Sequence, residues 1–87
     1  MITYSTGDSR LSAFLMVRGC TIAGTETRQQ GEEDRVHFLF NVDDARIAEL
    51  KREFFEGGQV AALEYANFMK QCMHLVREAR ELARESR

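Results

Sequence analysis

The chain has 87 residues and a formal net charge of −2, and 44% of its residues are hydrophobic. A chain of this length forms one small domain, which buries only about three-fifths of the surface that it exposes when unfolded. The composition excludes wholesale disorder, and no stretch approaches the roughly 18 apolar residues of a membrane-spanning helix. The first residues lack the basic and apolar segments of a secretion signal, so we expect a cytoplasmic protein.

The charge is distributed unevenly. Residues 1–69 hold seven basic and eleven acidic side chains, a net charge of −4, whereas residues 70–87 hold five and three, a net charge of +2. Such a split can orient head-to-tail association or attract an anionic partner to the C-terminal end. The ordinary interpretation of the charged residues is a solvated helix face.

The chain begins with a predicted strand and helix. Ile2–Thr6 is rich in β-branched and aromatic residues, which favours a short strand. Thr6 or Asp8 can cap the amphipathic helix that follows. That helix is expected to end at about residue 17 or 18, because Gly19 stands where a left-handed residue usually follows a helix.

A β-hairpin is predicted next. The first strand spans Cys20–Thr27, and the second spans Arg35–Val42 with strict alternation. The polar residues 28–33 between them predict a six-residue loop. The apolar face of the second strand consists of Val36, Phe38, Phe40 and Val42. His37 lies on the opposite, polar face, where an exposed or lightly paired imidazole is expected.

Two helices complete the chain. Asn41 or Asp43 is predicted to cap the first of them, and Gly57–Gly58 ends it. Residues 59–84 then carry one uninterrupted helical pattern. A helix of about 25 residues is roughly 37 Å long, whereas a compact domain of this size is about 30 Å across. Its last turns should therefore overhang the domain or meet another subunit.

The long helix carries two adjacent apolar rows. The first row, which we call the seam, consists of Ala61, Tyr65, Phe68, Cys72, Leu75, Ala79 and Leu82. The second row consists of Ala62, Ala66, Met69, Met73 and Val76. This spacing is typical of a helix that packs against another helix, and so wide a stripe requires partners on two sides. We therefore predict a homodimer whose interface is formed by Tyr65, Phe68, Cys72, Leu75, Ala79 and Leu82.

The order of these elements, β-α-β-β-α-α, predicts a single α+β domain over residues 1–87. Its three-stranded, mainly antiparallel sheet should pack on the helices with Phe38 and Phe40 inside. The first strand is expected beside the third. The alternative is a parallel pairing of the first strand with the second through a right-handed crossover.

Residues with reactive side chains are scattered. His37 and His74 are far apart in sequence, and neither Cys-x-x-Cys nor His-x-x-x-His occurs. Cys20 and Cys72 lie among apolar residues, where buried free thiols are expected rather than a disulfide. We therefore expect no metal site, no cofactor and no catalytic site. A small enzyme, the least favoured function, would need a cysteine or a histidine in a cleft.

One basic constellation stands out. It consists of Arg77, Arg80, Arg84 and Arg87. The first three share one helix face and could follow a phosphate backbone, so a nucleic-acid-associated protein is the alternative function. Glu81 lies four residues after Arg77 and three before Arg84, and it is expected to neutralise them in part. A protein contact is a third possibility for this face.

Several framework segments form a recognisable combination. They are the Ser-Thr-x-Asp opening at residues 5–8, Leu11–Leu15 followed by Gly19, Val36–Phe40 and Phe54–Gly58. Together they resemble a small family of bacterial and phage proteins known as a domain of unknown function. The resemblance supports the fold and assigns no site residue. It implies an accessory role in a phage or another mobile element. The leading function is a non-catalytic protein-interaction module.

Overall fold

A computed structural model describes residues 2–85 of the chain as three strands and three helices. In chain order they are β1 (Ile2–Thr6), α1 (Ser9–Val17), β2 (Ile22–Gln30), β3 (Glu33–Val42), α2 (Asp44–Phe55) and α3 (Ala62–Glu85). The strands form one antiparallel sheet in the order β1-β3-β2. This confirms the α+β class and the place of the first strand beside the third.

Local hydrogen bonds fix the start of α1. Asp8 is its N-cap residue, and the Asp8 carboxylate accepts hydrogen bonds from the backbone N–H groups of Arg10 at 2.9 Å and Leu11 at 3.3 Å. These bonds satisfy two amides that the first turn of a helix leaves unpaired. Of the two caps that the sequence allowed, Asp8 is the one used. The helix ends at Val17, as predicted.

The β2–β3 hairpin is longer than predicted. Its strands continue to Gln30 and from Glu33, so the connection is the turn at residues 31–32 and the predicted six-residue loop is wrong. Gly31 has a φ angle of 65°, a left-handed conformation that glycine adopts without strain. Polar residues therefore extend the backbone ladder beyond the apolar core, because pairing satisfies their N–H and C=O groups whatever their side chains are.

The core lies between the inner face of the sheet and the helices. Phe38 and Phe40 are fully buried, which confirms the predicted inner face of β3. Helix α1 is the most enclosed helix, with every residue from Leu11 to Met16 buried, and it contacts both α2 and α3. The largest fully buried side chains are those of Phe14, Phe38, Phe40, Leu15, Cys72 and Ser12.

The α2–α3 corner rests on aromatic packing. The ring of Phe54 lies 5.4 Å from that of Phe14, between centroids, whereas Phe55 is 73% exposed. At the other end of α2, Asp43 is the N-cap residue, but its side chain makes no capping hydrogen bond, so the predicted side-chain cap is wrong. Helix α3 begins at Ala62, three residues later than predicted, and its 24 residues span roughly 36 Å of a domain 40 Å long.

Truncating Phe38 or Phe40 to alanine should lower the free energy of unfolding by about 3 to 5 kcal/mol, because each change leaves a cavity in a closed core. Asn41→Ala provides a matched control, since Asn41 is an exposed residue of the same strand and should change stability by less than about 0.5 kcal/mol. Urea denaturation followed by circular dichroism measures both. Equal losses at Phe40 and Asn41 would show that the assigned inner face is wrong.

Candidate functional site

The structure places most of the predicted dimer seam against the chain's own core. Cys72 and Ala79 are buried, and a further part of the seam packs on the core cluster through half-buried side chains, namely Tyr65, Phe68 and Leu75. Leu82 is 65% exposed. The seam therefore stabilises the single chain, and Leu82 is the most exposed of the predicted interface residues.

Helix α1 is the main partner of the seam. The Tyr65 hydroxyl donates a hydrogen bond of 3.4 Å to the backbone carbonyl of Arg10, and the Cys72 thiol lies 4.0 Å from the sulfur of Met16. These contacts lie about two helical turns apart along α3. The pairing of helices that the seam pattern indicated thus occurs within one chain.

The second row forms an apolar surface that its own chain leaves largely uncovered. Ala62 and Ala66 are exposed and Met73 is 45% exposed, whereas Met69 and Val76 are half-buried. Next to this row, Leu63 is 74% exposed. Contiguous exposed apolar side chains of this kind mark sites of protein–protein contact. The wide stripe requires one partner for the seam and one for the second row. Residues 2–85 supply the partner for the seam and leave most of the second row exposed.

A cleft of about 590 Å³ lies between the first half of β3 and the last turns of α3. It is lined by Gly7, residues 33–37, Val76, Arg80 and Arg84. Val36 and Val76 provide an apolar lining, and the arginines provide positive charge on the α3 side. The cleft therefore combines an apolar surface with charged groups, as binding sites commonly do.

The cleft exists because β1 is shorter than β3. Pairing between β1 and β3 ends at Thr6 and Phe38, whereas β2 pairs with β3 as far as Glu33. Within residues 2–85, the stretch 33–37 of β3 therefore has a strand along one edge only. Both odd and even residues of this stretch line the cleft. That is expected at a strand edge, because successive side chains point to opposite faces.

The structure divides the predicted basic constellation. Arg80 and Arg84, one turn apart on α3, line the cleft, whereas Arg77 does not. Arg87 lies outside the described residues. Arg35 of β3 adds a third arginine to the lining, although the sequence pattern did not single it out. A short β1 and an overhanging α3 bring it there, and neither feature leaves a local signal around Arg35.

The predicted neutralisation of Arg77 and Arg84 by Glu81 does not occur in the described part of the chain. Arg77, Arg80 and Arg84 make no ion pair with residues 2–85, whereas Arg35 lies 4.0 Å from Glu33. Exposed ion pairs on a helix gain little free energy, so spacing alone does not enforce them. The exposed pair that α3 does form joins His74 and Glu78 at 2.9 Å.

His37 is more enclosed than predicted. It is half-buried, and both of its ring nitrogens are inaccessible and have no hydrogen-bond partner in the structure. Arg28 of β2 donates a hydrogen bond of 3.3 Å to Ser5 of β1. Arg28 pairs with Arg35 and Ser5 with Leu39, so the Arg28 side chain crosses β3 at the position of His37. Gly7 packs beside the ring, and a Cβ atom there would lie 3.6 Å from it. The prediction of an exposed or lightly paired imidazole at His37 is therefore wrong.

Both cysteines are free thiols, as predicted. Burial raises the pKa of Cys72, and it raises the pKa of Cys20 against the opposing effect of the nearby Arg46 guanidinium. Thiolate, the reactive form, is therefore scarce at neutral pH. Cys20 borders a second cleft of about 420 Å³ whose lining contains no histidine.

Within residues 2–85, no group of three or more His, Cys, Asp and Glu side chains is arranged to hold a metal ion. Within the same residues, none of the helices has the length and the apolar character that crossing a membrane requires.

Comparison of the chain with known proteins identifies no relative. No protein-family model matches the chain, and no curated protein and no solved structure matches it. The resemblance of the framework segments to a bacterial and phage family therefore stays a prediction.

Replacing His37 with phenylalanine should leave the free energy of unfolding unchanged or raise it by about 1 kcal/mol, because two buried polar atoms without partners are removed. His74→Phe is the control, since this exposed imidazole is paired with Glu78 and its replacement should not stabilise the fold. Urea denaturation measures both variants. A loss above about 2 kcal/mol for His37→Phe would show that the ring nitrogens have a partner in solution.

Proposed function

We propose that the chain is a non-catalytic protein-interaction module that forms a homodimer through the second row of α3. The observation that carries this proposal is the exposure of Ala62, Ala66 and Met73 on a row that is apolar along its whole length. Most of the seam beside this row already packs on α1 and the core of its own chain. A second copy therefore has the second row, not the seam, as its contact surface.

The second row is complementary to itself. In an antiparallel pair of α3 helices centred on Met69, Ala66 of one copy lies across from Met73 of the other, and Ala62 lies across from Val76. Small side chains on one helix then face large ones on its partner, which favours close packing.

Domain size supports the same proposal. An 87-residue domain has a small core, and burying a further apolar row between two copies adds stability without a longer chain. The side chains capable of covalent or acid–base chemistry are dispersed: Cys72 lies in the core, Cys20 borders one cleft and His37 borders another. This dispersal favours binding over catalysis.

The proposed setting follows from two arguments. Cys20 and Cys72 are free thiols, as is usual where the cell keeps thiols reduced, which supports a place in the cytoplasm. The framework resemblance supports a bacterial or phage origin and an accessory role in a mobile element. Both statements are part of the proposal and are independent of the dimer.

Met73→Glu should convert the dimer to a folded monomer, because a carboxylate buried between two apolar rows loses its hydration. Gln71→Glu is the matched control: it adds the same charge to the same helix at an exposed position off the second row, and it should leave the dimer intact. Sedimentation velocity at micromolar concentration measures the mass. A wild-type chain that is monomeric and well folded at that concentration contradicts the proposal.

A change in the seam should act differently. Leu75→Glu should lower the free energy of unfolding by about 2 to 5 kcal/mol, because Leu75 packs against the core of its own chain. Circular dichroism in urea detects this loss. Dissociation without loss of stability in Leu75→Glu, together with an intact dimer in Met73→Glu, would return the interface to the seam.

Nucleic-acid association is the second candidate. It is favoured by the absence of ion pairs between Arg77, Arg80 or Arg84 and the other described residues. Removing residues 83–87 deletes Arg84 and Arg87, so any binding to DNA should show a slope of log affinity against log salt that is smaller by about 2. Fluorescence anisotropy with a labelled duplex measures the slope. Under the leading proposal, neither form binds DNA at physiological salt.

A further inference from the structure

We propose that two copies of the chain pair through β2, so that their sheets join into one antiparallel sheet with three strands from each copy. The pairing is centred on Thr27 and covers residues 25–29, a stretch that we call the β2 edge. The partner of the β2 edge is the same stretch of a second copy. This contact is separate from the proposed contact between second rows and does not rest on it.

Strand order provides the first part of the argument. In the order β1-β3-β2, strand β2 has β3 on one side, and no other strand of residues 2–85 lies on its other side. Within the same residues, the backbone hydrogen bonds of the β2 edge join it to β3 alone. The N–H and C=O groups that point away from β3 are therefore open to another strand, which is how exposed sheet edges recruit a partner.

The hairpin turn determines which residues present these outward groups. The turn at residues 31–32 has two residues, so the flanking Gln30 and Glu33 exchange hydrogen bonds, and every second pair along the ladder does the same. The even-numbered residues of β2 thus bond to β3. The odd-numbered residues of the β2 edge direct their N–H and C=O groups outward, namely Thr25, Thr27 and Gln29.

Charge symmetry about Thr27 provides the second part. The β2 edge reads Thr-Glu-Thr-Arg-Gln. In an antiparallel pair centred on Thr27, Glu26 of each copy lies across from Arg28 of the other, and these side chains are 51% and 44% exposed. Opposite charges in directly opposite positions stabilise paired strands, and so does a β-branched pair at the centre. A pair centred on Glu26 or on Arg28 would instead bring like charges together.

The β2 edge lacks the usual protection of an edge strand. Such strands commonly carry proline, lysine or a bulge that prevents pairing. Residues 25–29 contain neither proline nor lysine, and the bulge of β2 lies before them, between Ile22 and Gly24. Glu26 and Arg28 of one strand lie 3.4 Å apart. In the joined sheet, four charges of alternating sign therefore surround the centre, so the two edges attract each other.

The pairing also keeps both cores on one side of the joined sheet. In this register odd-numbered residues meet odd-numbered residues. Thr25 shares the inner face with its buried β3 partner Phe38, and it meets Gln29 of the other copy on that same face. The helices of both copies therefore cover the same face, and the twofold symmetry closes the contact after two copies.

Charge reversal tests the register. The background is Met73→Glu, which removes the proposed contact between second rows, and sedimentation equilibrium at up to about 2 mM measures self-association. Strand pairing buries a narrow strip of surface, so we expect a dimer with a Kd of about 0.1 to 1 mM. Glu26→Arg and Arg28→Glu should each weaken it about tenfold, because like charges then lie opposite each other. The double reversal restores opposite charges and should restore the affinity.

Glu49→Arg is the matched control for charge reversal. It makes the same change of charge at an exposed position of α2, away from the β2 edge, and should leave the affinity unchanged. Circular dichroism in urea verifies that each variant is folded.

Disulfide formation tests the same register by distance. Under mild oxidation, Thr27→Cys should link two copies, because paired residues at the centre have Cα atoms about 5.5 Å apart, within the reach of a disulfide. Thr25→Cys is the matched control, since its two copies lie four residues apart along the strands, about 14 Å, and cannot be bridged. Mass spectrometry of tryptic peptides distinguishes this link from disulfides of Cys20 and Cys72.

Three results would overturn the proposal: a Met73→Glu variant that stays monomeric at about 2 mM, a double reversal that fails to restore the affinity, or Thr25→Cys linking as fast as Thr27→Cys. The proposed contact between second rows fails or stands separately. It is measured on the wild-type chain at micromolar concentration, where so weak a strand pairing is not populated.

Discussion

Packing of the α3 seam against α1 is the contact on which the other surfaces of the molecule depend. It buries Cys72 beside Met16, and α3 also packs on β2 and β3 of the sheet. Once the seam faces inward, the rotation of α3 about its own axis is fixed. The second row must then lie at the flank of the helix, with Arg80 and Arg84 following it towards β3. The exposed apolar row and the charged wall of the cleft are thus consequences of one helix–helix contact.

Unequal lengths of the elements create the remaining features. Strand β1 has five residues and β3 has ten, so half of β3 has no strand along one edge within the described chain. Helix α3 is long enough to reach this uncovered half. A longer β1 would complete the sheet and fill the cleft, and a shorter α3 would remove its arginine wall. The cleft therefore comes from two lengths that the compact core does not require, since residues 33–35 and the last turn of α3 contribute nothing to the apolar cluster.

Most of the fold could be predicted from the sequence, because its signals are local. Alternation in β3 identified Phe38 and Phe40, and Asp8 and Gly19 bounded α1 correctly. The hairpin was misjudged because polar residues carry no periodic signal, although their backbones pair equally well. His37 was misjudged because its cover comes from β1 and β2, through an Arg28–Ser5 contact between strands that are distant in sequence.

The candidate sites were harder to predict for a related reason. Helical periodicity shows that a row needs a partner, but it does not say whether that partner is α1 or another chain. The seam and the second row have the same spacing, and only the fold assigns the first of them to the interior. Likewise, the arginine pattern on α3 contained Arg77, Arg80 and Arg84 with equal weight, and the cleft selects two of them and adds Arg35. Local sequence therefore indicated which surfaces are apolar or charged, whereas tertiary packing decides which of them remain exposed for binding.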